Sequence, residues 1–181
     1  MDLKKEKCII VGKSGSGKDY LMRKMVEKGL KGFLKITTRP KRDKEIQGIN
    51  YNFILESEFI HLINNNDLLV YETFEVEPKE KEKETWYYGI SKNDFNESQV
   101  IIMTPGELGK IDSETRKNCF VVYLDIERKI REERLLNRKD NNDSVIRRLD
   151  SDETDFKDFK DYDLKITYSD FIVDDVYDLM Y

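Results

Sequence analysis

The stretch Cys8-Ile9-Ile10-Val11 followed by Gly12-Lys13-Ser14-Gly15-Ser16-Gly17-Lys18 decides the fold. A short apolar run reads as a strand buried on both faces. The glycine-rich turn after it matches the phosphate-loop pattern G-x-x-x-x-G-K. From Asp19 to about Lys28 the spacing of Leu21, Met25 and Val26 predicts an amphipathic helix, ended by Gly29 and Gly32. Strand, glycine loop and helix in that order open an α/β fold. The chemistry explains the spacing. Glycines let successive backbone N–H groups curl around phosphate oxygens. The helix start near Gly17 adds its positive dipole end, and Lys18 reaches the outer phosphates. The pattern continues with Ser or Thr, whose hydroxyl binds Mg²⁺; this chain has Asp19 there, a carboxylate able to hold Mg²⁺ directly or through water. Ser14 and Ser16 are further hydroxyls in the loop.

Working outward, Val100–Met103, Phe120–Leu124 and Leu164–Thr167 read as further core strands. Helices are expected over Ile126–Asn137, from Ser144 to about Leu149 with Asp143 or Ser144 as its cap, and over Val173–Met180. The expected fold is therefore α/β, a mostly parallel central sheet flanked by helices. The middle of the chain breaks the βα rhythm. Tyr51–Ile54, Leu68–Val76 and Trp86–Ile90 read as strands and Ser57–Ile63 as a helix, which makes a small mixed α+β lobe. The expected division is a core of residues 1–34 and 92–181 and a lobe of residues 35–91. The charge-alternating run at residues 77–85 is a solvated hairpin extension in this reading.

Composition narrows the function classes. Lys plus Arg number 32 and Asp plus Glu 37 among 181 residues, a net charge of −5. Such mixed charge gives no global basic field, so a nucleic-acid partner is not expected. No apolar run reaches the length of a membrane span. The charged N-terminus does not read as a signal peptide, which points to a cytoplasmic protein. Cys8 and Cys119 each sit in an apolar run and read as buried reduced thiols. His61, the single histidine, suggests no histidine-based acid–base or metal chemistry.

Five short motifs, in order, then resemble the guanylate kinase family of P-loop nucleoside monophosphate kinases. They are the loop itself, Thr37-Thr38-Arg39-Pro40-Lys41-Arg42, Gly48-Ile49-Asn50-Tyr51-Asn52-Phe53, Tyr87-Tyr88-Gly89, and Arg134-Leu135-Leu136-Asn137-Arg138 with Arg148-Leu149 downstream. The resemblance implies transfer of the ATP γ-phosphate, with Mg²⁺, to GMP, dGMP or a related nucleoside monophosphate, by a monomer or homodimer. It implies that Gly12, Ser14, Gly15, Ser16, Gly17, Lys18, Asp19 and Arg134 hold ATP–Mg²⁺. Arg39, Arg42, Tyr51 and Tyr88 would clamp the acceptor phosphate. Lys18, Arg39, Arg138 and Arg148 would neutralise the transferring group, the last two from a lid at about residues 134–148. Planar guanidinium forks suit a phosphate dianion better than ammonium groups do.

The base-reading positions of the family are altered. Its Ser before Thr-Thr-Arg is Lys35 here, its strand Glu is Val70, its Ser or Thr after Tyr-Tyr-Gly is Ile90, and the acid ending the Val100 strand is replaced by Thr104-Pro105, with Glu107 nearest. Glu72, two along from Val70 and so on the same face, is a candidate to supply a carboxylate or simply to face solvent, the commoner fate of a strand glutamate. Tyr168 is a candidate to stack on a base or simply to pack. Two alternatives follow: a kinase for a different or modified deoxynucleotide, and a catalytically inactive binding module of the same fold. A kinase acting on a ribose bisphosphate is a weaker one.

Overall fold

The computed structural model describes residues 5–42, 45–76, 83–138 and 145–180, with Arg138 described by its backbone only. The chain forms two compact units, Met1–Gly32 with Gln99–Tyr181, and Phe33–Ser98.

The larger unit is built on β1 (Lys7–Gly12), β6 (Val100–Ile102), β7 (Cys119–Leu124) and β8 (Leu164–Ile166), in the order β6-β1-β7-β8. Every pairing in this sheet is parallel. Helices α1 (Lys18–Glu27), α4 (Pro105–Leu108), α5 (Ser113–Lys117), α6 (Arg128–Arg138), α7 (Val145–Asp155) and α8 (Val173–Asp178) accompany it. The strands β1, β6 and β7 run apolar without alternation because both faces are covered: Cys8, Ile9, Ile10 and Val11 are all fully buried, whereas Lys165 of β8 is exposed. Cys8 and Ile10 pack with Leu21 and Met25 of α1 and Val176 of α8. Fully burying a side chain such as Leu21 or Met25 contributes about 1.5–3 kcal/mol, so α1 is held to β1 and the loop between them has fixed ends. The chain leaves β1 for β6 on one side and then crosses to β7 on the other. Open α/β sheets bind ligands at such a crossover, beyond the carboxyl ends of the strands.

The smaller unit has a mixed sheet, in the order β3-β2-β5-β4, from β2 (Ile36–Thr37), β3 (Asn52–Phe53), β4 (Leu68–Val76) and β5 (Glu84–Ser91), with α2 (Glu56–Asn64) and α3 (Lys92–Glu97). One sheet face packs on α2 through Ile36, Phe59 and Leu68, joined by Ile54, Leu62 and Tyr87. Gly89 serves this packing, since a Cβ there would lie 2.8 Å from the Phe59 ring.

Some expectations need correction. The helix anticipated to end near Leu149 continues to Asp155. Its second half, Asp150-Ser151-Asp152-Glu153-Thr154-Asp155, has little helical apolar pattern and is held instead by ion pairs to Arg128, Arg131 and Lys13. The caps anticipated at Asp143 or Ser144 lie outside the described residues. The strand expected over Tyr51–Ile54 shrinks to Asn52–Phe53. Glu84 and Thr85, assigned to the charged extension, belong to β5, which pairs with β4 out to Val76↔Glu84; residues 77–82 lie outside the described residues. The helices α3, α4 and α5 were not anticipated because they are too short for periodicity. Each is nucleated by a side-chain cap, from Ser91, Thr104 and Asp112 respectively. The smaller unit accordingly runs on through α3 to Ser98.

Cys8 and Cys119 are free and buried. Burial pushes the Cys119 thiol up to about 11 and raises that of Cys8 further. His61 is exposed on α2.

Candidate active site

In the larger unit, β1 ends at Gly12 and α1 begins at Lys18, so the loop spans Lys13 to Gly17. Gly15 and Gly17 have φ of 77° and 103°, left-handed values that favour glycine. A Cβ at Gly15 would also lie 2.7 Å from the Arg131 carbonyl oxygen, so α6 backs directly onto the loop. The Lys18 ammonium donates to the carbonyls of Gly12 at 2.5 Å and Lys13 at 3.0 Å. Its charge is thus held against the loop itself. Ser16 is fully buried, and its Oγ makes no hydrogen bond to the described residues. The Ser14 hydroxyl, by contrast, donates to Asp152.

Three lid residues of the sequence reading fall on α6 and α7. Arg134 Nη1 donates to the carbonyls of Gly15 at 3.1 Å and Ser16 at 3.3 Å, which ties α6 to the loop. Positions 131, 134 and 138 share one face of α6 by their spacing. Arg148 is half-buried in the first turn of α7. The segment between these helices, residues 139–144, lies outside the described residues.

Asp19 is exposed in the first turn of α1, next to Lys18. Among the described residues no group of three His, Cys, Asp or Glu side chains could cage a metal ion. Mg²⁺ in phosphoryl-transfer sites keeps several waters and takes one or two carboxylates together with substrate oxygens. A single exposed carboxylate beside the phosphate loop fits that kind of shared coordination.

The smaller unit gathers Arg39, Arg42, Tyr51 and Tyr88. The Thr-Thr-Arg element is stitched to β5: Thr37 Oγ1 donates to the Tyr87 carbonyl at 2.9 Å, Thr38 Oγ1 accepts from the Tyr87 N–H at 3.0 Å, and the Arg39 N–H donates to Thr37 Oγ1. Arg39, only 4% exposed, lies over the rings of Tyr51 at 5.4 Å and Phe53 at 5.6 Å. Tyr51 and Tyr88 meet edge to face, 6.1 Å between centroids. Burial raises the Tyr88 phenol above its ordinary value although Arg39 pulls the other way, so it remains a proton donor. Burial works against the charge on Arg39 more than any single neighbour favours it, but the Glu45 hydrogen bond together with the electrostatic pull of Tyr88, Glu45 and Tyr51 outweighs burial and raises its value.

Glu45 is the residue that sequence reading missed here. Its carboxylate accepts from Arg39 Nη2 at 2.7 Å and from the Arg42 N–H at 2.9 Å. Burial opposes its ionisation, yet those two donors hold it below the usual carboxylate range. Glu45 therefore presets the direction of the Arg39 fork and links both arginines. Its only sequence signal is its place three residues after Arg42.

The strand register sorts the base-reading positions. Val70 pairs with Ile90, and Glu72 with Tyr88. Val70, Glu72, Ile90 and Tyr88 therefore share one sheet face, opposite the face covered by α2. Val70 and Ile90 are buried, and Lys35 and Glu72 are half-buried. Phe74 lies on the same face, 5.5 Å edge to face from Tyr88 and half exposed. Glu107 is fully buried, and its Oε2 accepts from the Thr104 N–H in a capping box that starts α4. Tyr168 is exposed.

Sequence reading also missed the acidic residues around the loop. Lys13 pairs with Glu153 at 2.7 Å, and the Ser14 N–H donates to Asp152 at 2.7 Å. The one available hint was that Arg148 and Asp152 are four apart, hence neighbours on a helix face.

A family model for guanylate kinase matches residues 4–180 of the chain. Among curated proteins, guanylate kinase of Rickettsia felis is 28% identical over 94% of this chain and 90% of its own length. That of Rickettsia prowazekii is 28% identical over 90% and 83%. Among solved structures, guanylate kinase from Anaplasma phagocytophilum superposes with a TM-score of 0.66 at 21% identity, covering 99% of this chain and 87% of that one. At that identity the structural likeness speaks for the fold.

Proposed function

This chain belongs to the guanylate kinase family of nucleoside monophosphate kinases, and on that footing we propose that it moves the γ-phosphoryl group of ATP to GMP, dGMP or a nucleoside monophosphate with a related base. The observation that carries the reading is a buried guanidinium that lies over the Tyr51 ring, is close to the Tyr88 phenol and is preset by Glu45. Glu45 balances the Arg39 charge, and a guanidinium grouped with phenol donors is the donor set that a phosphate dianion takes.

In this reading the acceptor phosphate accepts hydrogen bonds from Arg39, Arg42, Tyr51 and Tyr88. Lys18 and the loop N–H groups hold the donor phosphates, and Arg134 keeps the loop in shape. Arg138 and Arg148 add positive charge as the lid closes and water leaves. Mg²⁺, with Asp19 as its protein ligand, supplies further charge neutralisation when bound. The chain's task is to position and to stabilise charge, which suffices for phosphoryl transfer. Against an inactive binding module stand Lys18, Arg39, Arg42, Arg138 and Arg148, all retained.

The metal role has a direct test. Asp19→Ala is expected to raise the Mg²⁺ concentration for half-maximal rate by about an order of magnitude, the scale of one lost charge-assisted contact, while Asp19→Ser restores the ordinary dependence. An unchanged Mg²⁺ dependence in Asp19→Ala makes Asp19 a bystander.

Base choice is the finer question. Guanine recognition needs an acceptor for its N–H groups, and Val70 and Ile90 offer none. Glu72, cross-strand from Tyr88, is the carboxylate on that face that lies beside the phenol, whereas Glu84 pairs with Val76 at the far end of the strands. We expect looser selectivity than a strict guanylate kinase, read by assaying the common ribo- and deoxyribonucleoside monophosphates with ATP–Mg²⁺. Glu72→Gln should lower kcat/KM for GMP by roughly tenfold or more and leave the other acceptors alone, because a charged hydrogen bond is worth about 1.5–3 kcal/mol. A wild type confined to GMP and dGMP, with Glu72→Gln indistinguishable from it, overturns this account of the base face.

A further inference from the structure

The phosphate loop is gripped from outside by a second set of charges that the proposed reaction does not use. One carboxylate takes both donors of one loop residue: Asp152 Oδ2 accepts the Ser14 N–H at 2.7 Å, and Oδ1 accepts the Ser14 hydroxyl at 3.3 Å. Behind it stands Arg131, 1% exposed, with Nη1 3.6 Å from Asp152 and Nη2 2.5 Å from Glu153. Arg131 Nε donates to the Ile126 carbonyl, just past the end of β7. Glu153 in turn pairs with Lys13, which also lies 3.7 Å from Asp125. Burying such a guanidinium is costly unless its partners are fixed. The cluster is therefore a rigid bolt that joins α6, α7 and the end of β7 to Lys13 and Ser14.

We propose that Asp152 is a positioning residue for the phosphate loop, setting the Ser14 end of the loop for the ATP phosphates and linking it to the helix that carries Arg148. The proposal rests on the kinase reading above. Two opposed effects fix its sign. As a negative charge near a polyanion, Asp152 by itself would weaken ATP binding. As the acceptor for both Ser14 donors it fixes the start of the loop, so the N–H groups after Ser14 need not reorganise when the phosphates arrive. Arg131 and Lys13, with Lys165 paired to Asp125, already balance the three carboxylates Asp125, Asp152 and Glu153, so the second effect dominates. Arg148 lies one turn from Asp152 on the same face of α7, so the bolt also sets where that arginine begins.

The test compares wild type, Asp152→Ala and Asp152→Asn. ATP Kd is measured by calorimetry, and KM for both substrates by steady-state kinetics. Asp152→Ala is expected to weaken ATP binding and raise the ATP KM by about ten- to a hundredfold, the range of a lost hydrogen bond to a charged group. The GMP KM should move less than about threefold, on the scale of indirect effects. Asp152→Asn keeps an oxygen for the Ser14 N–H and should recover most of the loss. Unchanged or tighter ATP binding in Asp152→Ala overturns the proposal, as does an Asn variant as impaired as Ala, or a parallel rise in both KM values. Should the Ala variant fail to fold, the Asn variant decides alone: ATP Kd close to wild type supports the proposal, and a tenfold loss or more overturns it. A wild type that binds ATP without turnover overturns the kinase reading but leaves the Kd comparison standing. A wild type that does not bind ATP overturns both.

Discussion

Lys18→Ala is expected to lower kcat by about a hundred- to a thousandfold, the usual effect of removing one preorganised group from a developing charge, while the fold survives. Lys18 is the first residue of α1, and its ammonium is held by the Gly12 and Lys13 carbonyls. Those contacts place the charge inside the loop before any nucleotide arrives, so its loss falls on the chemical step. Alanine is the best helix former, so α1 should start normally. Far-UV circular dichroism and a thermal melt would verify the fold, and steady-state kinetics the rate. Near-normal turnover in a folded Lys18→Ala protein would mean that the loop does not serve phosphoryl transfer.

Arg39 should show the largest effect on the acceptor side. It is buried, paired with Glu45 and flanked by aromatic rings. Truncating one partner of a buried, hydrogen-bonded charge pair costs roughly 2–5 kcal/mol. In kcat/KM for the acceptor that corresponds to about thirtyfold at least. Arg39→Ala also takes the charged partner from the Glu45 carboxylate, which is 14% exposed and keeps the Arg42 N–H, so some loss of stability is expected as well. Arg39→Lys separates the two effects. It keeps a cation for Glu45 but loses the planar fork, so the protein should stay folded and the acceptor KM should still rise. The ATP KM should change far less in both. Equal rises in the two KM values would show that Arg39 supports the fold and does not clamp the acceptor.

How much of this was readable in the chain depends on the kind of signal. The β1–loop–α1 unit announces itself because glycine spacing, apolar run and helical period agree over one short stretch. The β4 strand is legible from its run of apolar, aromatic and β-branched residues, and Leu68–Val76 has the expected bounds; β5 is legible only in its aromatic part, Trp86–Ile90, and runs from Glu84 to Ser91. The Thr-Thr-Arg and Tyr-Tyr-Gly motifs were visible as patterns, but their joint use was not: only pairing shows that Thr37 and Thr38 fasten Arg39 to the backbone of Tyr87. The acidic second half of α7 was illegible as helix because its support is tertiary. Asp152 and Glu153 look like solvated surface until Ser14, Lys13 and Arg131 are placed beside them. Glu45 escaped notice likewise, since a glutamate in a polar turn carries no periodic signal. Local rules find elements and motifs, whereas ion pairs between residues far apart in the chain need the fold first.

The central claim is that this chain transfers a phosphoryl group between nucleotides. The direct measurement is to incubate the protein with Mg²⁺, ATP labelled at its γ-phosphate and a mixture of nucleoside monophosphates, and then to separate the products. The account predicts label in the β-phosphate of a nucleoside diphosphate, with ADP formed in equal amount and guanine nucleotides among the labelled products. Label that stays in ATP or appears only as free phosphate, from a protein that binds both nucleotides, would contradict it and leave a binding module in its place.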